Sequence, residues 1–472
     1  MTRQQPPVLR VLARLGKVAG GSLGMPTHRH ALLWWVLTRA VLFGFWGLLG
    51  MHIQGDVIYY HESMRYLFHG APPGDVLVEY PTPLLWLLAI PYILGGGTLT
   101  GYVIAFVTLF VAADALMGYV LWRSARQYGT NPRPAVAFWI WFVVVMGPIT
   151  YMRLDLLTAA LSAAGLVAIL RHHRPVSGVM IGIGAAIKLW PALLWPAAMV
   201  DKKAVRQATA GFAITGGVLA LASLIYGGWN RLVSPLSWQS ERGLQIESLY
   251  ATPLMVLHLF RPSSYPIYNS PFNSYEIIGP GAAELTRAAS MATAVGGVIM
   301  VALFIGWLRR LDRTPIEAGT LMVVATLIMI ITNKAFSPQY MIWLAGPVAG
   351  LLTISARHPD QLPDNGHLFT WFHPPRHLKR DDHLVGPLKL ARHVAIWVIV
   401  LTITTQLIYP VFYIYYVKDG FWTPLAVTIL AARNLVLLYF SVRLIVFTVR
   451  NVSFPRHPAG ETVTPPDERE PA

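Results

Sequence analysis

Asp56 follows the first membrane-length apolar run, Ala31 to Ile53, in a segment reading GDVIYYHESMRYL. A carboxylate set where a membrane helix emerges into water, followed by Tyr59, Tyr60 and His61, is poorly explained by packing alone. On the topology read below, other polar residues fall on the same side: Glu79 and Tyr80; Arg153 and Asp155; Arg242, Gln245 and Glu247; Lys334, Gln339 and Tyr340. Any one of them alone reads as a salt bridge or an interfacial anchor, and it is the set that points to a site. Carboxylates, cations and aromatic rings converging on one cavity suit chemistry that binds an anionic lipid phosphate, stacks a sugar ring and removes a hydroxyl proton. Lys188 is a further candidate, because a lysine inside the apolar stretch GIGAAIKLWP costs roughly 3 kcal/mol to place in a bilayer. Pro191 frees a nearby carbonyl that could satisfy it instead.

Other chemistries lose their usual warrants. There is no GxxxxGK[ST] phosphate loop and no HExxH pair. The string GGSLG at 20–24 matches GxSxG formally, but it lies in a basic leader with no strand before it and reads as chance. His358, His367, His373, His377, His383 and His393 read as a solvated, headgroup-facing loop rather than a metal cluster. Asp56, Asp155 and Glu247 could share a divalent metal if their loops meet, but no cofactor is expected.

The elements that must position these residues are membrane helices. Hydrophobic residues make up 55% of the 472-residue chain and charged residues only 12%, far from the balance of a soluble domain. The net charge of +15 would suggest nucleic acid in a soluble protein; here it marks cytoplasmic loops, so no nucleic-acid partner is expected. Crossing hydrocarbon takes about 20 residues. Apolar runs at 31–53, 99–122, 135–150, 154–170, 208–227, 286–307, 317–333, 338–355, 394–417 and 422–447 predict ten crossings with both termini cytoplasmic. Arg123, Arg126, Arg133, Arg171, Arg174, Lys202, Lys203, Arg206, Arg309, Arg310 and Arg313 then gather inside, whereas Asp56, Glu62, Asp75, Glu79, Asp155, Glu241, Glu247 and Glu276 lie outside. The first run is too long and too late for a cleaved signal peptide.

Two segments resist a simple crossing. Residues 81–95 are short and hold three prolines, predicting a helix in the outer interface. Residues 178–200 begin and end beside basic residues, predicting two short helices that meet near Lys188. The fold class is therefore an all-α polytopic membrane protein of about 10–12 transmembrane helices. Its parts are a basic cytoplasmic leader (1–30), a membrane domain (31–447) with outer loops 54–98 and 228–285 and a cytoplasmic loop 356–393, and a Pro-rich cytoplasmic tail (448–472) expected to be disordered. Zero cysteines exclude disulfides and thiolate metal sites.

The strings GDVIYY (55–60), VEYPTPLLWLL (78–88), YMRLDLLTAALSAAGLVA (151–168), GIGAAIKLWPALLWP (182–196), RGLQIESL (242–249) and NKAFSPQYMIWL (333–344) resemble glycosyltransferase family 87. These GT-C membrane enzymes include the polyprenyl-phosphate-mannose-dependent alpha-mannosyltransferases of actinobacteria. The resemblance covers about 31–447 without the inner loop, and RGLQIESL and NKAFSPQY are its most specific strings. It implies sugar transfer on the outer leaflet from a lipid-linked donor, with inversion, in a cell membrane. The GT-C catalytic aspartate of the first outer loop maps onto Asp56, which would act as general base. Lys334 and Arg242 are placed near the donor phosphate. Glu247, Asp155, Gln339 and Tyr340 would orient those cations or bind sugar hydroxyls. Arg153, Glu79, Tyr80, Tyr60 and Lys188 complete the expected substrate-binding set. With no carbohydrate-binding domain beside it, the small outer loop suggests an acceptor held at the membrane, such as a lipid-linked glycan.

Two alternatives stay open at this level. A lipid-phosphate arabinose or glucose donor would leave nearly every argument intact. A transporter or lipid flippase would share the topology and the broken helix pair, but matching broken segments are expected in two halves of such a protein and only one is found here.

Overall fold

The computed structural model describes residues 27–49, 54–170, 172–272, 274–355 and 382–452. The GGSLG string, nearly all of the basic leader and most of both the histidine-bearing loop and the Pro-rich tail lie outside those residues. The chain is an all-α polytopic membrane protein, with one small antiparallel hairpin among the described residues.

Each of the ten apolar runs contains a helix. In chain order the α-helices are α1 (His28–Leu49), α2 (Gly55–Phe68), α3 (Pro83–Leu94), α4 (Leu99–Gln127), α5 (Arg133–Met146), α6 (Asp155–Leu170), α7 (Arg174–Ile187), α8 (Lys202–Glu241) and α9 (Thr252–His258). The hairpin β1 (Ile267–Ser270) and β2 (Ser274–Ile277) follows, pairing Ile267 with Ile277 and Ser270 with Ser274. Then come α10 (Ala282–Arg309), α11 (Pro315–Thr332), α12 (Tyr340–Ser355), α13 (Asp382–Gln406), α14 (Ile414–Val417) and α15 (Thr423–Val452). Among the described residues, six stretches are long and apolar enough to cross a bilayer: Leu99–Gln127, Lys202–Gln239, Ala282–Arg309, Pro315–Thr332, Lys389–Val411 and Thr423–Arg450.

The irregular segments fold as short helical pieces. The 81–95 stretch is the 12-residue α3, opened by Pro83 where a missing N–H is harmless. The 178–200 stretch is α7 followed by a 3-10 segment, Trp190–Ala198, with Lys188 extended between them. The run 394–417 is not one helix: α13 ends at Gln406 and passes through a π-helical turn, Leu407–Val411, to α14. Pro410 lies in that turn and cannot donate a backbone hydrogen bond.

The centre of the bundle is α6, α11 and α12. Every residue of α12 is buried, so its sequence reads as apolar all round, as an interior helix must. Backbones approach closely where glycine allows it. A Cβ on Gly346 of α12 would stand 2.0 Å from the Ala159 carbonyl of α6, and one on Gly178 of α7 would stand 1.9 Å from the Ala208 carbonyl of α8. Such contacts supply the packing that apolar burial cannot supply between helices in lipid. A buried charge knot ties α1, α4 and α5. Asp114 accepts hydrogen bonds from Arg39 Nε (2.8 Å) and Nη2 (2.9 Å), from the indoles of Trp35 and Trp139 (2.8 Å each) and from the Tyr151 hydroxyl (2.7 Å).

Candidate active site

The site is built from chain reversals at one end of the bundle. Gly147 at φ 72° ends α5, and a 3-10 turn (Pro148–Tyr151) leads into α6. Tyr151 is held by Asp114, which fixes the turn that presents Arg153 and Asp155. Asp56 and Asp155 each lie in the first turn of their helices, where the helix dipole favours a negative charge.

Arg153 forms an ion pair with Asp56, whose side chain is 33% exposed. Asp155 is wholly buried and saturated. Lys188 Nζ donates to both its carboxylate oxygens, at 2.8 and 2.9 Å, and the Trp343 indole N–H donates to one of them. The Lys188 ammonium also lies 5.7 Å from the centre of the Tyr80 ring and 6.0 Å from that of Trp343. Trp343 is layered between Tyr340 (3.8 Å, 19°) and Trp190 (5.2 Å, 20°). Lysine burial is thus satisfied by a carboxylate and two aromatic faces, not by the carbonyl freed at Pro191.

A second group borders the first. The Tyr59 hydroxyl donates to Glu79 Oε1 at 2.9 Å, and Tyr60 and Tyr80 share a hydroxyl–hydroxyl bond of 3.1 Å. Glu79 Oε2 is buried and meets no hydrogen-bond partner among the described residues. Burial pushes the Glu79 carboxyl above its ordinary value, against the Tyr59 hydroxyl and the charges of Arg231 and Arg242. Arg242, where α8 ends, donates to the Phe272 carbonyl at 3.3 Å, lies over the Phe272 ring and faces the Tyr340 hydroxyl. Burial also lowers the Lys334 ammonium, with Glu276 opposing and Arg242 reinforcing the shift. The two neighbouring cations form a region of positive potential suited to an anion.

Glu247 stands apart. Its side chain is 1% exposed and lies 3.9 Å from Arg433 Nη2, while its carbonyl accepts from Arg433 (3.1 Å) and Asn434 (3.3 Å). Burial raises its carboxyl to about 7, with Arg433 acting the other way. Tyr409 lies within electrostatic reach of both Glu247 and Arg153. The backbone N–H of Gln245 donates to the Lys334 carbonyl (3.2 Å) and its side chain to Ser337 (3.3 Å), joining RGLQIESL to NKAFSPQY. Gln339 is half-buried beside Tyr340, whereas His61 donates to the Gly97 carbonyl (2.9 Å) and packs against Tyr92 and Tyr102. Asp56, Asp155 and Glu247 do not share a metal-binding group among the described residues; each faces its own cation.

Sequence reasoning missed Trp343, Trp190, Arg231, Arg433, Tyr409 and Glu276. Trp343 was findable, since a helical residue three beyond Tyr340 covers the same face. Arg433 was too, as an ionisable residue inside an apolar run.

The sequence profile of glycosyltransferase family 87 matches residues 78–333, which include Glu79, Tyr80, Arg153, Asp155, Lys188, Arg242 and Glu247. No curated protein matches the chain.

Proposed function

Because this chain belongs to glycosyltransferase family 87 and is therefore a membrane glycosyltransferase, we propose that it transfers mannose from a polyprenyl-phosphate donor to a membrane-held glycolipid or glycan. The transfer takes place on the extracytoplasmic side, both termini are cytoplasmic, and the bundle follows the GT-C plan.

The observation that carries the choice of base is the contrast between carboxylates. Asp155 has its oxygens occupied by Lys188 and Trp343, and Glu247 is sealed against Arg433. Asp56 has one ion-pair partner and a third of its side chain open. An acceptor hydroxyl can reach it.

In the proposed single displacement, the acceptor oxygen attacks the anomeric carbon from the face opposite the phosphate. The bond from that carbon to the phosphate oxygen breaks, and polyprenyl phosphate leaves with the electron pair. The hydroxyl proton passes to Asp56, and configuration inverts. General-base assistance of this kind contributes roughly 10²–10⁴-fold. Arg242 and Lys334 stabilise charge growing on the departing phosphate. Arg153 orients Asp56, the Asp155–Lys188 pair fixes Tyr80 and Trp343, and Tyr60, Glu79, Gln339 and Tyr340 meet sugar hydroxyls and ring faces.

The test is transfer of labelled mannose from polyprenyl-phosphate mannose to a membrane lipid extract by the purified protein. A labelled glycolipid supports the proposal. Transfer only from arabinose or glucose donors retains the reaction and replaces the sugar. Donor movement between leaflets without transfer contradicts it.

A further inference from the structure

The sequence SLIYGGWNRLVSPL interrupts α8 with a glycine pair. Gly228 takes φ 74°, outside helical geometry, and a Cβ on Gly227 would stand 2.6 Å from Arg231 Cγ. The pair turns the chain and makes room for the Arg231 stem. Arg231 is 1% exposed, and its guanidinium donates to four carbonyls of one distant loop: Pro73 (3.2 Å), Val76 (3.2 Å), Leu77 (3.0 Å) and Tyr80 (2.7 Å). It also donates to Ser234 Oγ (3.1 Å), and that hydroxyl donates to the Val78 carbonyl (2.7 Å).

Only a planar fork of five N–H donors can serve so many acceptors at once. The loop has no helix or sheet of its own beyond the 3-10 turn Pro73–Asp75, and Leu77 takes φ 50°, a conformation that costs a branched side chain about 1 kcal/mol. Arg231 bonds the carbonyl of that strained residue. The same loop carries Glu79, bonded to Tyr59, and Tyr80, bonded to Tyr60 and facing Lys188.

We propose that Arg231, aimed by the Gly227–Gly228 turn, is a positioning residue that clamps loop 73–80 and so sets Glu79 and Tyr80 for the sugar substrate. The inference rests on the reading of Glu79 and Tyr80 as substrate-binding residues. Arg231 touches no reacting atom. It acts through the loop, where a displacement of about 1 Å can cost up to 10²-fold in rate.

The chain has no cysteine, so a single one replacing the exposed Asp75 can carry a spin label without background. Label mobility and transfer kinetics are compared with and without Arg231→Lys, which keeps the charge but loses the fork. The clamp predicts a more mobile label and a KM for the sugar substrate raised about 10-fold, with kcat changed less. If Arg231→Lys fails to fold, Ser234→Ala removes one bond to the same loop and should give a smaller shift of the same sign. An unchanged label overturns the clamp. A mobilised label with unchanged KM overturns the positioning role. Absence of transfer by the unsubstituted protein counts against the proposed reaction, whereas label mobility, read without substrate, still tests the clamp.

Discussion

Lys188 and Asp155, 33 residues apart, form a two-pronged ion pair at 2.8 and 2.9 Å in the interior of the bundle. The pair joins the break between α7 and the 3-10 segment to the start of α6, and Trp343 closes it from α12. Removing one member leaves an uncompensated buried charge, a loss of roughly 3–5 kcal/mol, whereas removing both is far milder. Lys188→Met should therefore lower the thermal midpoint in detergent more than Lys188→Met with Asp155→Asn. Equal losses would show that the charges do not depend on one another.

Gly243 is packed against Glu276, and a Cβ there would stand 2.1 Å from the Glu276 carboxylate. Glu276 is the acid that opposes deprotonation of Lys334. Gly243→Ala should displace it and disturb the Arg242–Lys334 region, raising the donor KM several-fold with little change in the midpoint. An unchanged KM would separate these cations from donor binding.

Lys334→Met should raise the donor KM about 10-fold, the effect of losing roughly 1.4 kcal/mol of phosphate binding. Competition by inorganic phosphate, measured in the same assay, should weaken in parallel. A fall in kcat without either change would assign Lys334 to the transition state alone.

Glu247 makes stability depend on pH in a defined direction. Its folded carboxyl is raised from 4.5 to about 7, so between those values the folded state holds a proton that the unfolded state has lost. Stability should be full below about pH 4.5, fall as pH rises towards 7, and level off above. Glu247→Gln cannot ionise and should flatten that slope. Midpoints measured from pH 4.5 to 8 would contradict this if both proteins fell alike.

The helices were legible because a bilayer demands long apolar runs, and the two exceptions, α3 and the break at Lys188, were legible from proline and flanking charge. Asp56, Arg153, Asp155, Lys188 and Tyr80 were all readable as candidates. Their partners were not, because nothing in a sequence fixes the rotation of one helix against another. The Arg39–Asp114 pair and Arg433 with Glu247 join positions 75 and 186 residues apart, pairings that only the packing of the helices fixes. Arg231 escaped notice for a different reason. Its partners are backbone carbonyls, which leave no side-chain signature.

The central claim is that Asp56 takes the acceptor proton. The direct measurement is sugar transfer from a polyprenyl-phosphate donor by wild type and Asp56→Asn, alongside donor binding to both. Asparagine keeps the shape and loses the basicity, so turnover should drop by about 10²-fold or more while donor binding persists. Turnover by Asp56→Asn at the wild-type rate would contradict the account and move the base to another carboxylate.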